Sequence, residues 1–199
     1  MCFSAEVSLA TYLVGVLGCL LLAASRRAYA EAVFYLCTVH MQLLEYFMWR
    51  DPTCSPWNKR VTRWAVLVNH AEPFALYLPL LVTAKLPLWL HLWAAVFFVL
   101  TVLYSSQVLA EESCTTVTKE SSPHLEWKWN GGRYHTAFYV LFVITLTTLC
   151  LFLRRGAFQA SVVIVSYVVS YLLYREKKAV GAMWCFAAAL APYLLLLVL

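Results

Sequence analysis

Long apolar runs alternate along the chain with short clusters of charge and proline. Seven runs are of spanning length, at residues 7–24, 28–49, 63–83, 87–104, 134–153, 157–174 and 179–198. A helix needs about 20 predominantly apolar residues to cross the hydrocarbon core. Arg26-Arg27, Arg50-Asp51-Pro52, Lys85 with Pro87, Arg154-Arg155 and a basic stretch from Arg175 separate the runs. The remaining gap, 105–133, is a polar stretch of 29 residues. The apolar runs are continuous, whereas a membrane barrel reads as short alternating segments. The pattern predicts an all-α polytopic membrane protein, a bundle of seven transmembrane helices. Residues 1–199 form one domain, with 105–133 a polar loop between the fourth and fifth helices.

Composition excludes the soluble alternatives. Of 199 residues, 63% are hydrophobic and 13% charged, with a mean hydropathy of +0.73. A soluble domain is about half apolar and a quarter charged, and one this small cannot hide so much apolar surface. The first run is read as a retained helix rather than a signal peptide, because no basic residue precedes it. Ser8, Thr11, Gly15 and Cys19 form a small-residue stripe along it, suited to close helix packing.

Polar residues within the runs are the candidates for function, since an ionisable group in a spanning helix is expensive. In the second run Glu31, Tyr35, Thr38, Gln42, Glu45 and Trp49 are spaced by 4, 3, 4, 3 and 4. That spacing keeps them within about 40° of one line along a helix. This stripe must face the bundle interior or a hydrated cavity. His40 lies on another face and is expected to meet a different helix. In the third run Asn69, His70 and Glu72 precede Pro73, which removes a helical hydrogen bond and is expected to bend the helix. The candidate substrate- or ion-binding set is therefore Glu45, Gln42, Glu72, His70, Asn69, His40, Thr38 and Glu31. Glu45 and Glu72 lie deepest in their runs, while Glu31 sits close enough to one end to reach interfacial water.

Such groups can exchange protons, or ligate a metal through imidazole and carboxylate. No metal motif is matched, and none is assigned. His70-Ala71-Glu72 has the His-x-Glu of zinc deaminases but lacks the Pro-Cys-x-x-Cys half. The cofactor is left open. Gln159, Ser166 and Ser170 line one face of the sixth run, and the two serines read as packing residues. Trp49, Trp64, Trp89 and Trp93 suit interfacial belts, and His91 and His135 lie close to span ends. In the long loop, Pro123 to Trp129 alternates charge with aromatic residues. It reads as an interfacial segment anchored in the membrane by Trp127 and Trp129, placed to act as a lid.

Two signals disagree on orientation. Loops on the N-terminal face carry 10 Lys or Arg against 5 opposite, which places that face in the cytoplasm. Three of the 10 lie in the long, nearly neutral loop. Cys54 and Cys114 occupy two loops of the same N-terminal face and form a candidate disulfide, which requires an oxidising compartment. The cysteines tip the reading toward an extracellular or lumenal N-terminus. Cys19, Cys37, Cys150 and Cys185 fall inside spans and read as small hydrophobes.

The opening Met1-Cys2-Phe3-Ser4-Ala5, Gln42-x-x-Glu45 with Trp49, His70 with Pro73 and Pro79, and Trp184-Cys185-Phe186 resemble an uncharacterised family of small multispanning membrane proteins. Its members occur in bacteria, algae and large DNA viruses. The chain departs from the bacterial pattern at Tyr46, where glycine is expected. The resemblance implies no activity, but it points to Gln42, Glu45 and His70.

Three functions compete. The first is movement of a proton, ion or small polar solute past Glu45 and Glu72. The second is an intramembrane enzyme acting on a lipid-like substrate, with Glu45, Glu72 and His70 or His40 converging on one pocket. The third is a receptor or scaffold without chemistry. The expected partners are the lipid bilayer and a proton, small solute or lipid-like ligand, with a homo-oligomer possible and no nucleic acid.

Overall fold

The computed structural model of the chain describes residues 4–111, 114–118, 123–131, 134–175 and 179–199. The segment Met1-Cys2-Phe3 that opens the family motif lies outside them. The first helices are α1 (Ala5–Arg26), α2 (Tyr29–Arg50), α3 (Pro56–Thr83) and α4 (Leu88–Ala110). A short hairpin of β1 (Thr115–Val117) and β2 (Leu125–Trp127) follows, then a 3-10 turn at Lys128–Gly131. The chain ends with α5 (His135–Cys150), α6 (Gly156–Tyr174), α7 (Val180–Ala188) and α8 (Ala191–Val198).

Five of these elements are long and apolar enough to cross a membrane: α1, α3, α4, α6 and the combined length of α7 and α8. The protein is thus a multi-pass, all-α membrane protein. Two of the seven expected spans fall short, for different reasons. Helix α5 is apolar but only 16 residues long. Helix α2 has the length, at 22 residues, but is too polar. Its position explains this. It packs along α1 and α3 and also meets α7, α8 and the hairpin. A helix wrapped in protein presents little surface to lipid, so lipid places no demand on its composition.

Helix starts follow local chemistry. Ser4 caps α1 by accepting from the Val7 N–H at 3.3 Å. Ser55 caps α3, accepting from the Trp57 and Asn58 N–H groups, with Pro56 in the first turn where its missing N–H costs nothing. The expected small-residue stripe of α1 does bring helices close. A Cβ on Gly15 would stand 2.6 Å from Val39 Cγ2 of α2, and one on Gly18 2.8 Å from the Tyr193 ring of α8.

Several expectations need correction. Helix α3 begins at Pro56 rather than 63, and it remains one helix through Pro73 and Pro79. Helix α4 runs on to Ala110, so residues 105–110 belong to a helix and not to the loop. The last span is interrupted at Ala189 and Leu190, just before Pro192. Pro192 has no N–H for the Ala188 carbonyl, which removes a helical bond at the break.

The described part of the loop is a packed hairpin. Thr115 pairs with Trp127, Thr116 with Glu126 and Val117 with Leu125. Trp127 and Trp129 are stacked with centroids 4.8 Å apart and are only 4% and 1% exposed. They are core residues, not membrane anchors. A Cβ on Gly181 would stand 2.6 Å from the Trp127 ring, so the hairpin rests on the start of α7. Cys54 and Cys114 form a disulfide with Cα atoms 5.4 Å apart. Asn58 continues the attachment: its amide donates to the Asp51 and Thr115 carbonyls at 2.6 and 3.0 Å, and its Oδ1 accepts the Thr115 N–H at 3.1 Å. The α2–α3 turn, the hairpin and the start of α7 therefore share one face of the bundle.

On the opposite face, arginines close helix ends. Arg26 donates to the Leu196 carbonyl at 2.7 Å, and Arg154 to the Arg26 carbonyl at 2.9 Å. Cations suit the C-terminal ends of helices, where carbonyls lack N–H partners.

Candidate functional site

The polar stripe of α2 points inward along its whole length. Glu31, Tyr35, Thr38, Gln42 and Glu45 are all buried, at 3% exposure or less. Trp49 continues the line and is partly buried. Helix α2 rises about 1.5 Å per residue, so Glu31 and Glu45 are about 21 Å apart along it and Thr38 lies midway.

Each level of this stripe has its own neighbours. Glu31 does not reach interfacial water, as its position near the span end suggested. It is enclosed against α6, where Gln159 Nε2 stands 3.5 Å from its Oε1. The same Gln159 amide donates to the Arg154 carbonyl at 2.7 Å. Thr38 and Glu72 line one cavity, which puts the α3 carboxyl at the middle level. Further along, Gln42 Nε2 donates to Glu45 Oε2 at 2.9 Å, one turn apart on the same helix.

Helix α3 divides its polar residues between two settings. Asn69 faces Glu72, one turn on. The Tyr139 hydroxyl of α5 donates to Asn69 Oδ1 at 2.7 Å. His70 turns elsewhere. Its Nδ1 is 2.8 Å from Ser105 Oγ of α4, and its Nε2 is 3.5 Å from the Tyr139 oxygen. Because Tyr139 spends its proton on Asn69, the consistent arrangement has His70 protonated at Nε2 and accepting from Ser105 at Nδ1. The ring is packed among Tyr104, Phe138 and Tyr139, with centroids 5.2, 4.9 and 6.1 Å away. It is held by partners on both nitrogens.

His40 does not join the site. Its Nδ1 bonds the Leu36 carbonyl at 2.7 Å, and its ring meets Tyr12 of α1 edge-on at 5.5 Å. The two span-end histidines are also bonded to tyrosines: His91 to Tyr77 at 2.7 Å and His135 to Tyr104 at 3.4 Å. Among the described residues no group of three or more His, Cys, Asp or Glu is placed to hold a metal ion. The tryptophans divide. Trp64 and Trp89 are exposed on the outside of the bundle, while Trp93 donates its indole N–H to Thr145 at 3.0 Å.

The cavity at the middle level has a volume of about 190 Å³. Its walls are mostly apolar, with Phe34, Leu146, Val163 and Trp184 among them. Thr38, Glu72 and Ser166 supply polar side chains, and Ser166 accepts the Trp184 indole N–H at 2.9 Å. Glu72 is 1% exposed, and its Oε1 has no hydrogen-bond partner among the described residues. A buried carboxyl oxygen without a donor is costly and rare.

Ser105 escaped sequence reading because it lay in the supposed loop. A signal was present. Leu90, Ala94, Phe97, Thr101, Tyr104 and Val108 keep helical spacing and are all buried, so periodicity continued where hydropathy stopped. Asn58 and Thr62, which hold the hairpin, had no comparable signal.

Comparison of the chain with protein-family models, curated proteins and solved structures returns no match.

Proposed function

We propose that this membrane protein moves protons, with Glu31, Glu72 and Glu45 as successive acceptors across the bundle. The observation that carries the proposal is the spacing of three buried carboxyl groups. They occupy levels about 10 Å apart along α2, and the outer two span about two-thirds of a 30 Å hydrocarbon core. Burying three acids costs stability, and an ionisable residue within a spanning helix is by default a functional hypothesis. Water admitted between levels links them. Tyr35 and Thr38 supply hydroxyls between Glu31 and Glu72, and Gln42 and Asn69 supply amides between Glu72 and Glu45.

The test is proton flux in vesicles holding the purified protein and an internal pH dye, under an imposed potential. Wild-type protein should acidify or alkalinise the lumen according to the sign of the potential. Glu72→Gln and Glu45→Gln should each abolish that flux. Unchanged flux in both variants would end the proposal. The enzyme alternative needs Glu45, Glu72 and His70 or His40 on one pocket, whereas His70 is turned toward Ser105 and Tyr139 and His40 toward the Leu36 carbonyl and Tyr12.

The orientation belongs to the same reading. We propose that the face carrying the Cys54–Cys114 disulfide, and with it the N-terminus, is extracellular or lumenal, because such bonds persist in oxidising compartments. In intact cells, an impermeant maleimide should label these two cysteines only after an impermeant reductant has been applied. Membership of the uncharacterised family is likewise proposed, supported by the burial of its motif residues Gln42, Glu45 and His70.

A further inference from the structure

The cavity beside Glu72 reaches the outer surface of the bundle on one side. Ala187 and Leu194, on either side of the break between α7 and α8, line it and are exposed. Leu190 and Leu197 continue the exposed apolar surface around them, so this mouth opens toward lipid. The inner end carries the Glu72 carboxyl with its unpartnered Oε1. The face at the start of α3 and α7 is covered by the disulfide-anchored hairpin, with Trp127 and Trp129 buried beneath it. The route from the bilayer, between α6 and the α7–α8 pair, is therefore sideways.

We infer that this cavity binds a lipophilic molecule that ends in one hydrogen-bond donor, a hydroxyl or an ammonium, with the donor on Glu72 Oε1 and the apolar body among Leu146, Val163 and Trp184. The size is set by the volume. A dry cavity of about 150 Å³ admits benzene, so 190 Å³ accommodates a single ring or a short stretch of chain with a small head. A larger molecule would leave its tail in the bilayer through the mouth. The polarity is set by the wall: a wholly apolar occupant leaves the carboxyl oxygen bare, and a strongly polar one strips its hydration against apolar side chains. Such a site needs the cavity and Glu72 only. It stands or falls independently of Glu31, Glu45 and proton flux.

Binding of benzylamine, benzyl alcohol and toluene to the full-length protein in nanodiscs tests the site, read by saturation-transfer NMR against empty nanodiscs. All three should bind saturably, toluene the weakest because it leaves the carboxyl oxygen bare. Ala187→Phe, which fills the exposed mouth, should abolish binding of all three. Glu72→Gln should weaken benzylamine about tenfold, the scale of a charged hydrogen bond, and leave toluene unchanged. Retained toluene binding shows that this variant is folded. Uptake that only follows partitioning into lipid, or binding that survives Ala187→Phe, overturns the site. Equal benzylamine affinity in Glu72→Gln overturns the role of the carboxyl. Mass spectrometry of the purified protein distinguishes the source of the natural ligand. A donor-headed lipid released from wild type but not from Ala187→Phe identifies a bilayer component, and a site empty on purification that takes the added ring compounds identifies a free small molecule.

Discussion

The Tyr139 hydroxyl donates to Asn69 Oδ1 at 2.7 Å, tying α5 to α3 in the middle of the bundle. This bond settles the state of two neighbours. It turns Asn69 so that the rest of its amide faces Glu72, and it leaves the Tyr139 oxygen as an acceptor for His70. Tyr139 is therefore the joint between the carboxyl beside the cavity and the histidine packed among aromatic rings.

Tyr139→Phe should cost about 1–3 kcal/mol, because it leaves the buried Asn69 oxygen without its donor while changing little of the packing. Thermal unfolding in a single detergent would read this directly. An unchanged midpoint would mean that another group satisfies Asn69.

Asn58 makes contacts that no apolar residue can replace. It bridges the Asp51 carbonyl and both backbone groups of Thr115. Asn58→Leu should loosen the hairpin, at a cost of about 3 kcal/mol, since several buried backbone groups lose partners together. Hydrogen exchange at Thr115–Val117 should speed up far more than exchange in α1. Equal protection in the variant and the wild type would show that Asn58 is not what holds the hairpin.

Gly18 lets α1 approach α8. A Cβ there would stand 3.0 Å from Pro192 Cβ and 2.8 Å from the Tyr193 ring. Gly18→Val should therefore push α8 away and destabilise the protein by about 1–3 kcal/mol, the range for overpacking. It should also weaken the bond from the Tyr193 hydroxyl to the Val14 carbonyl, now 2.7 Å. Ser25→Ala on the exposed end of α1 is the control, with a shift near zero.

Asp51, in the α2–α3 turn, has its carboxyl held below the ordinary carboxylate range. The Ser55 hydroxyl is the main cause, followed by the Thr53 hydroxyl at 2.7 Å. The ionised form is thus favoured in the folded turn. Its contribution is present above the unfolded-state pKa and is lost as pH falls through the lowered folded value. A carboxyl NMR titration should place Asp51 below a model aspartate, and Ser55→Ala should raise its midpoint. A midpoint indifferent to Ser55 would contradict the assignment.

Much of the bundle was legible because periodicity and burial answer the same constraint. The inward line of Glu31, Tyr35, Thr38, Gln42 and Glu45 follows from spacing alone, since residues three and four apart share a helix face. The same rule placed His40 on a different face, although it could not say that Tyr12 would be there. Hydropathy was the weaker guide. It ended α4 at 104, yet Val108 continues the buried stripe of a helix that runs to Ala110. The alternation of charge with aromatic residues made Trp127 and Trp129 look like membrane anchors, because such a pattern does not distinguish an indole in the interface from one in a core.

The sequence by itself determined that the chain lives in a membrane, that its helices are apolar outside and selectively polar within, and which line of α2 faces inward. These are local consequences of side-chain chemistry and a 3.6-residue period. The tertiary structure decided that His70 turns from Glu72 toward Ser105, that Gln159 meets Glu31, and that a cavity with one bare carboxyl oxygen opens beside a broken helix. Those facts depend on which helices lie side by side and at what height. Spacing along one helix carries no information about its neighbours.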